Sequence, residues 1–146
     1  MDYSPAYIMA QYLIGESLLT DPSDSGSWPV YVGLLPDGNG VAHEAVSCVD
    51  TSSVKDGRIL NGGENIFHFG FQLMVRATAY NTGYAKAQAL AEALQEVNRD
   101  TVTISGTTFR IDSVTDTSGV TVVGQEEGSK RRELFSLNFL VTLKEN

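Results

Sequence analysis

An alternation of apolar and mixed residues over positions 67–80 is the feature of the sequence that most constrains the fold. Every second residue of this run is apolar or small: Phe67, Phe69, Phe71, Leu73, Val75, Ala77 and Ala79. Because successive side chains of a β-strand point to opposite faces, this spacing predicts one long strand whose apolar face another layer must cover. The intervening residues are mixed in character: Ile66, His68, Gly70, Gln72, Met74, Arg76, Thr78 and Tyr80. Such a face suits partial exposure or a subunit interface.

Two segments have the spacing of amphipathic helices that can supply the covering layer. Ser4 and Pro5 resemble an N-cap and a first-turn proline, and apolar residues then recur at helical spacing as far as Thr20. A second helix is predicted after a cap at Asn81 or Thr82. Its apolar stripe comprises Tyr84, Ala87, Leu90, Ala91, Leu94 and Val97. Its neighbouring alanines permit close packing of the helix on a sheet.

The remaining strands are predicted from β-branched and aromatic runs between turns. Residues 28–35 and 41–49 flank a glycine-rich turn and predict a β-hairpin. A second hairpin is expected around Ser105-Gly106, and later strands are predicted at 120–123 and 134–143.

The polar stretch from Asp50 to Asn65 has no convincing periodicity and predicts a long exposed loop, of the kind that is usually functional or becomes ordered on a partner. The order of the elements predicts an α+β fold, with an antiparallel-rich mixed sheet packed on one face by two helices. We expect residues 1–146 to form a single domain, since the length suits one hydrophobic core.

Charge is unevenly distributed along the chain. The net charge is −8, and seven acidic residues precede Lys55, whereas all ten Lys and Arg residues lie at or after it. This balance argues against a module that grips nucleic-acid phosphates through a basic face. Two interpretations remain: an acidic surface that keeps the protein soluble, or a negative surface that faces DNA or a basic partner.

The cysteine content and the N-terminal sequence bear on the cellular compartment of the protein. Cys48 is the only cysteine, so it cannot form an intramolecular disulfide, and its place in an alternating run predicts a small buried side chain rather than a nucleophile. Neither a signal peptide nor an apolar run of about 20 residues is present, so a soluble protein made inside the cell is expected.

Motifs for catalysis or metal binding are scarce. His43, His68 and Cys48 are too few for a probable zinc site, and no nucleophile elbow or phosphate loop occurs. The segment from Asp21 to Gly26 lacks the carboxylate spacing of a calcium loop and indicates a turn. His68 is either a general base in a pocket or a hydrogen-bonded histidine at the surface or an interface. We therefore expect neither a cofactor nor a metal.

Residues 124–133 set opposite charges at the tip of a connection between two strands. Glu126 and Glu127 precede a Gly-Ser pair, and Lys130, Arg131 and Arg132 follow it. Such a tip suits a complementary contact with a neighbouring subunit, and the alternative is an ordinary solvated loop.

Taken together, these segments resemble the tail terminator and minor capsid (tail completion) proteins of long-tailed bacteriophages. The resemblance is carried by the strand at 71–80 entering the alanine-rich helix at 81–94, the turn at 123–128 and the final Phe-x-Leu-x-Phe-x-Val strand. The family has a Gly-x-Asp-x-x-Gly-Arg-like turn before that strand. Here Glu126 would be its acid, and its base is displaced to Lys130 or Arg131.

The resemblance implies a structural virion protein of the neck, assembled in the host cytoplasm, and no enzyme. It implies a homo-oligomer, a hexameric ring at the head-proximal end of the tail tube that ends tube polymerisation and joins the head-completion or stopper proteins. DNA would pass through the lumen without specific binding, and no membrane is involved. The residues expected to contact the ring neighbour, tube or neck are Lys55, Arg58, Arg76, His68, Glu126, Glu127, Lys130, Arg131 and Arg132.

Two alternatives stay open. One is another neck component, such as a stopper or head-tail connector. The other is a small α+β ligand-binding domain or enzyme that encloses a pocket with His68, Asp112 or Tyr80 as acid/base groups.

Overall fold

The computed structural model describes residues 2–38, 41–58, 65–126 and 131–145, with the backbone alone at 54–58 and 65–67. Within these residues the chain forms two helices and seven strands. Their order is α1 (Pro5–Gly15), β1 (Val30–Val32), β2 (Ala45–Arg58), β3 (Asn65–Ala77), α2 (Tyr80–Gln95), β4 (Asp100–Ile104), β5 (Thr107–Asp116), β6 (Thr121–Gln125) and β7 (Glu133–Glu145).

The seven strands form a mixed sheet in the order β1-β2-β3-β7-β5-β4, and β6 pairs with β7. Only the β1–β2 pair is parallel among the described strands, and the others are antiparallel. Both helices pack against the face that carries Phe71, Leu73 and Val75, all fully buried. The predicted α+β fold, with an antiparallel-rich sheet covered on one face by two helices, is confirmed.

The first helix begins as predicted and ends early. Ser4 is its N-cap, because the Ser4 hydroxyl accepts the amide of Tyr7 at 3.2 Å. The amide of Ala6 donates to the Asp50 carboxylate of β2 at 2.9 Å, so an acidic side chain satisfies a second free N–H at this positive helix end. The helix ends at Gly15 rather than near Thr20, and Thr20 instead bridges Pro29 beside β1.

The second helix starts directly after β3. Its N-cap is Ala79, with no side-chain hydrogen bond, so the predicted cap at Asn81 or Thr82 is wrong. The predicted stripe is buried from Ala87 to Val97, whereas Tyr84 at its beginning is 43% exposed. The stripe therefore covers the sheet along most of α2 and leaves the first turns at the surface.

The predicted hairpin between residues 28–35 and 41–49 is wrong. β1 runs parallel to β2, with Val30 opposite Val46 and Val32 opposite Cys48. The connection must return from the end of β1 to the start of β2, since parallel neighbours cannot be joined by a tight turn. By contrast, the hairpin of β4 and β5 around Ser105-Gly106 is confirmed, and both turn residues have the positive φ that such a turn requires.

The predicted long loop at 50–65 is wrong over residues 50–58, which continue β2, while residues 59–64 lie outside the described part of the chain. Two register shifts against β3 break the period of two, which explains why the sequence shows no alternation there. One shift brings Thr51 and Ser52 over Gly70. A Cβ at Gly70 would lie 2.3 Å from the Thr51 hydroxyl oxygen and 2.4 Å from the Ser52 carbonyl oxygen. Only glycine permits this approach.

In the described residues, neither helix has the length and apolar content that crossing a lipid bilayer would require.

Candidate interaction surfaces

Arg76 lies on the sheet face opposite the helices, where the sequence predicted a contact with another subunit. Its side chain is instead 0% exposed. Three of its N–H groups donate to backbone carbonyls of the β1–β2 connection, at 2.8 Å to Pro36, 2.8 Å to Ala42 and 3.0 Å to His43. Burial lowers the pKa of the guanidinium, and the nearby charge of Arg132 lowers it further. Arg76 therefore anchors a connection within its own chain.

Arg132 is buried as well, at 1% exposure. Its Nε and Nη2 donate to the two carboxylate oxygens of Glu126 at 2.5 Å and 3.3 Å, and Nη2 lies 3.1 Å from Asp37. Burial by itself lowers the pKa of Arg132, but the hydrogen bonds that its guanidinium donates to Glu126 and Asp37 outweigh this effect, so the pKa is raised overall. We call Arg76, Arg132, Glu126 and Asp37, with the three carbonyls above, the arginine clamp.

The arginine clamp contains three of the nine candidate contact residues: Arg76, Arg132 and Glu126. Arg76 and Arg132 are internal to the single chain, so their side chains have no surface to offer a partner. Glu126 remains partly exposed but is engaged by Arg132. The run of three basic residues in the sequence does not indicate that one of them is buried. The burial of Arg132 depends on Asp37, which is distant in sequence, on the connection after β1, and could not be identified as a partner from the sequence.

The other candidate contact residues are dispersed. His68 is half-buried on the face opposite the helices, and its Nδ1 lies 2.7 Å from the Thr142 hydroxyl, as expected for a hydrogen-bonded histidine. Arg131 is exposed and has a φ of 47°. Lys55 and Arg58 lie on β2, which the structure describes there only as backbone. Glu127 and Lys130 lie outside the described residues.

The three acid/base groups that the sequence offered for a pocket do not lie together in the structure. Asp112 pairs with Arg110 at 2.6 Å on β5, Tyr80 begins α2, and His68 lies near the other end of β3. The three grooves around α1 are lined by other residues. Within the described ranges, no group of three or more His, Cys, Asp or Glu side chains is placed to hold a metal ion.

Cys48 is buried, as predicted. Its Sγ lies 3.3 Å from the Ala6 carbonyl oxygen, beneath the start of α1. Burial raises the pKa of the thiol, with a smaller contribution from Asp50. The side chain therefore belongs to the core.

Four of the seven acidic residues before Lys55 have partners within the chain. Asp50 caps α1 and Asp37 belongs to the arginine clamp. Glu44 accepts the Thr78 hydroxyl at 2.7 Å, and this hydrogen bond lowers the pKa of Glu44. Asp21 accepts both the amide and the hydroxyl of Ser23, in the Asx turn that the sequence indicated, and these bonds lower the pKa of Asp21. Much of the acidic excess therefore has a local structural role.

Exposed apolar side chains lie around Phe135, a surface that the sequence did not predict. The ring of Phe135 is fully buried and meets those of Tyr80 and Tyr84 edge-on, with centroids 5.2 Å and 6.2 Å away. Val122 pairs directly with Phe135 across β6 and β7, and Val123 follows at a register shift. Tyr80, Tyr84, Val122 and Val123 are each between 43% and 52% exposed. We call these four residues the Phe135 patch.

A second apolar surface lies at the opposite edge of the sheet. Val32 is the last residue of β1, and Leu34, two residues further on, is 92% exposed. Beside them is an open groove of about 410 Å³ between β1 and α1. It is lined by Tyr7, Ala10, Gln11, Ile14, Asp21, Pro22, Val30, Tyr31, Val32, Leu34 and Pro36. We call it the α1–β1 groove. Exposed apolar surfaces of this kind mark interaction sites.

Comparison with known proteins gives the family. No curated protein matches the chain. A chain in a solved structure described as the virion of a native gene transfer agent particle is similar, at 19% identity and a TM-score of 0.48, with 80% of this chain and 78% of that chain covered. The family model of the bacteriophage tail terminator protein matches residues 12–145. The chain therefore belongs to the bacteriophage tail terminator family and is a structural protein of the phage tail.

Proposed function

We propose that this protein forms a ring at the head-proximal end of the phage tail tube, where it ends tube polymerisation and joins the tail to the head-completion proteins. The observation that carries the proposal is the family match over residues 12–145. It is a virion component that acts through contacts, not an enzyme. The dispersed positions of His68, Asp112 and Tyr80 favour this function over a pocket-based one.

A closed ring requires two different surfaces on each subunit, because head-to-tail contacts are heterologous. The Phe135 patch and the α1–β1 groove are two such surfaces, at opposite edges of one sheet. A homo-oligomer of six subunits is the form we propose. Lys55, Arg58, His68, Glu127, Lys130 and Arg131 are proposed as further contacts with the ring neighbour, the tube or the neck.

DNA would pass through the lumen of this ring without being held. A net charge of −8 repels phosphate, which keeps the duplex from adhering during packaging and ejection. The exposed Arg131 would then meet an acidic protein partner in place of DNA.

The experiment is negative-stain microscopy with mass measurement, on the purified protein alone and with tail-tube subunits. We expect six-fold rings with a central hole, rings at one end of each tube, and shorter tubes as the ratio of this protein to tube subunit rises. A protein that stays monomeric in both conditions, and leaves tube length unchanged, would disprove the proposal.

A further inference from the structure

The two exposed apolar surfaces occupy matching places in the sheet. One continuous row of cross-strand neighbours runs through all five strands between them: Val30, Val46, Val75, Phe135 and Val122. Residues directly opposite each other in a ladder share a face, so this whole row faces the helices. The Phe135 patch lies at the β6 end of the row and the α1–β1 groove at the β1 end. Both surfaces are thus on the same face of the sheet and at the same level along the strand direction.

Strand directions also suit a head-to-tail contact. β1 is parallel to β2, and each step from β2 through β3 and β7 to β6 is antiparallel, so β6 runs antiparallel to β1. A second copy moved along the row therefore brings its β6 beside β1 of the first in antiparallel sense. Thr20 already bridges Pro29 at the start of the outer edge of β1, so side-chain contacts rather than a long ladder must carry the pairing.

The chemistry of the two surfaces is complementary. The Phe135 patch offers two valines on an edge strand and two tyrosines beside them, and the groove offers Tyr7, Ile14, Val32 and Leu34. Exposed Arg131 lies just beyond the Gln125–Glu133 pair, and Asp21 lines the groove. A basic residue next to β6 and an acidic residue in the groove favour association of the two surfaces.

We infer that copies of this chain associate by seating the Phe135 patch of one copy in the α1–β1 groove of the next. The partner is a second copy, because the two surfaces match in position and strand direction, and an acidic residue lines one while a basic residue lies near the other. This inference rests on the proposed ring and names the contact that builds it. When this contact is repeated around a rotation axis, both surfaces of every subunit are buried and the ring is closed.

The test is cysteine cross-linking. Background from native thiols is low, because the only native cysteine, Cys48, is buried. A variant with both Val32→Cys and Val122→Cys carries one exposed thiol on each surface, at nearly the same level along the strands. Under mild oxidation it should give a ladder of cross-linked species up to the full ring on a non-reducing gel. Each single variant should give no ladder beyond a dimer, because it carries one thiol per chain. The matched control is Val32→Cys with Thr115→Cys, since Thr115 is an exposed strand residue outside both surfaces.

A second variant tests the same contact without cross-linking. Val123→Asp places a charge in the patch and should reduce the fraction of protein in rings at least about tenfold, as expected for a central interface residue. Thr115→Asp should leave that fraction unchanged, and circular dichroism melts should show both variants folded. Wild-type rings that form and cap tubes, without a ladder in the double-cysteine variant and with normal rings in Val123→Asp, would overturn the contact but not the proposed function. A wild-type protein that forms no ring would overturn both.

Discussion

The hairpin of β6 and β7 places a charge inside and apolar side chains outside. Arg132 at its turn is 1% exposed, while Val123, a few residues earlier, is 52% exposed. The difference follows from the partners that the rest of the chain supplies. Glu126 and Asp37 satisfy the guanidinium of Arg132, whereas α2 covers Phe135 and leaves the two valines of β6 at the edge. Whether a side chain is buried thus depends on the groups that pack against it. Hydropathy alone would predict an exposed Arg132 and a buried Val123, and both predictions are wrong.

The two regions differ in what a substitution should cost. Removing the buried charge of an ion pair leaves its partners without the charge that balances them, which is strongly destabilising. An exposed valine contributes little to folding, since its surface is in water before and after. A residue that matters for assembly and not for stability therefore belongs to the second region.

The largest effect is expected from Arg132→Gln, which removes the charge from the arginine clamp. Glu126 would lose the charge that its carboxylate pairs with, Asp37 would lose one of its contacts, and the free energy of unfolding should fall by roughly 3–5 kcal/mol. Urea denaturation followed by circular dichroism measures this change. The matched control is Arg131→Gln, at the exposed neighbour, which should change stability by less than about 0.5 kcal/mol. Equal effects at the two positions would remove the contrast between buried and exposed charge.

The elements with a clear period were predicted well from the sequence. The alternation of β3, the capped start of α1 and the Ser105-Gly106 hairpin appear in the structure where their residues indicated. Each depends on contacts between near neighbours or on the spacing of one face. The bend of β2 over Gly70 was missed because its register shifts interrupt the period.

The candidate site was predicted less well, because it depends on residues distant in sequence. Pro36 and the glycines after it indicate a tight turn, but Arg76 binds the carbonyl of Pro36 and the connection leads to a parallel neighbour. Arg132 belongs to a basic run, and its burial needs Asp37. The exposure of Tyr84 follows from how α2 lies over the sheet, which its apolar stripe does not specify.

An intermediate effect is expected from Gly83→Ala, beneath the Phe135 patch. Alanine usually stabilises a helix by about 1 kcal/mol relative to glycine. Here the added Cβ would lie 2.5 Å from Cε2 of Phe135 and 3.1 Å from Cβ of Ala77, both buried, so the variant should lose roughly 1–3 kcal/mol through overpacking. Thermal melts would show a lower Tm. Gly15→Ala is the control, since nothing lies within 4 Å of its added Cβ, and its Tm should not fall. A stabilised Gly83→Ala protein would mean that the base of the patch is loosely packed.

The smallest effect on folding is expected from Val123→Ser, at the exposed edge itself. The free energy of unfolding should change by less than about 0.5 kcal/mol, because the Val123 side chain is 52% exposed. The comparison variant is Val75→Ser, a fully buried valine of β3, which should lose at least about 2 kcal/mol. If denaturation curves gave the two serine variants equal losses, Val123 would belong to the core of the single chain. The contrast within the hairpin would then rest on the buried Arg132 alone. The edge of β6 would have no exposed apolar surface for contact with a neighbouring subunit.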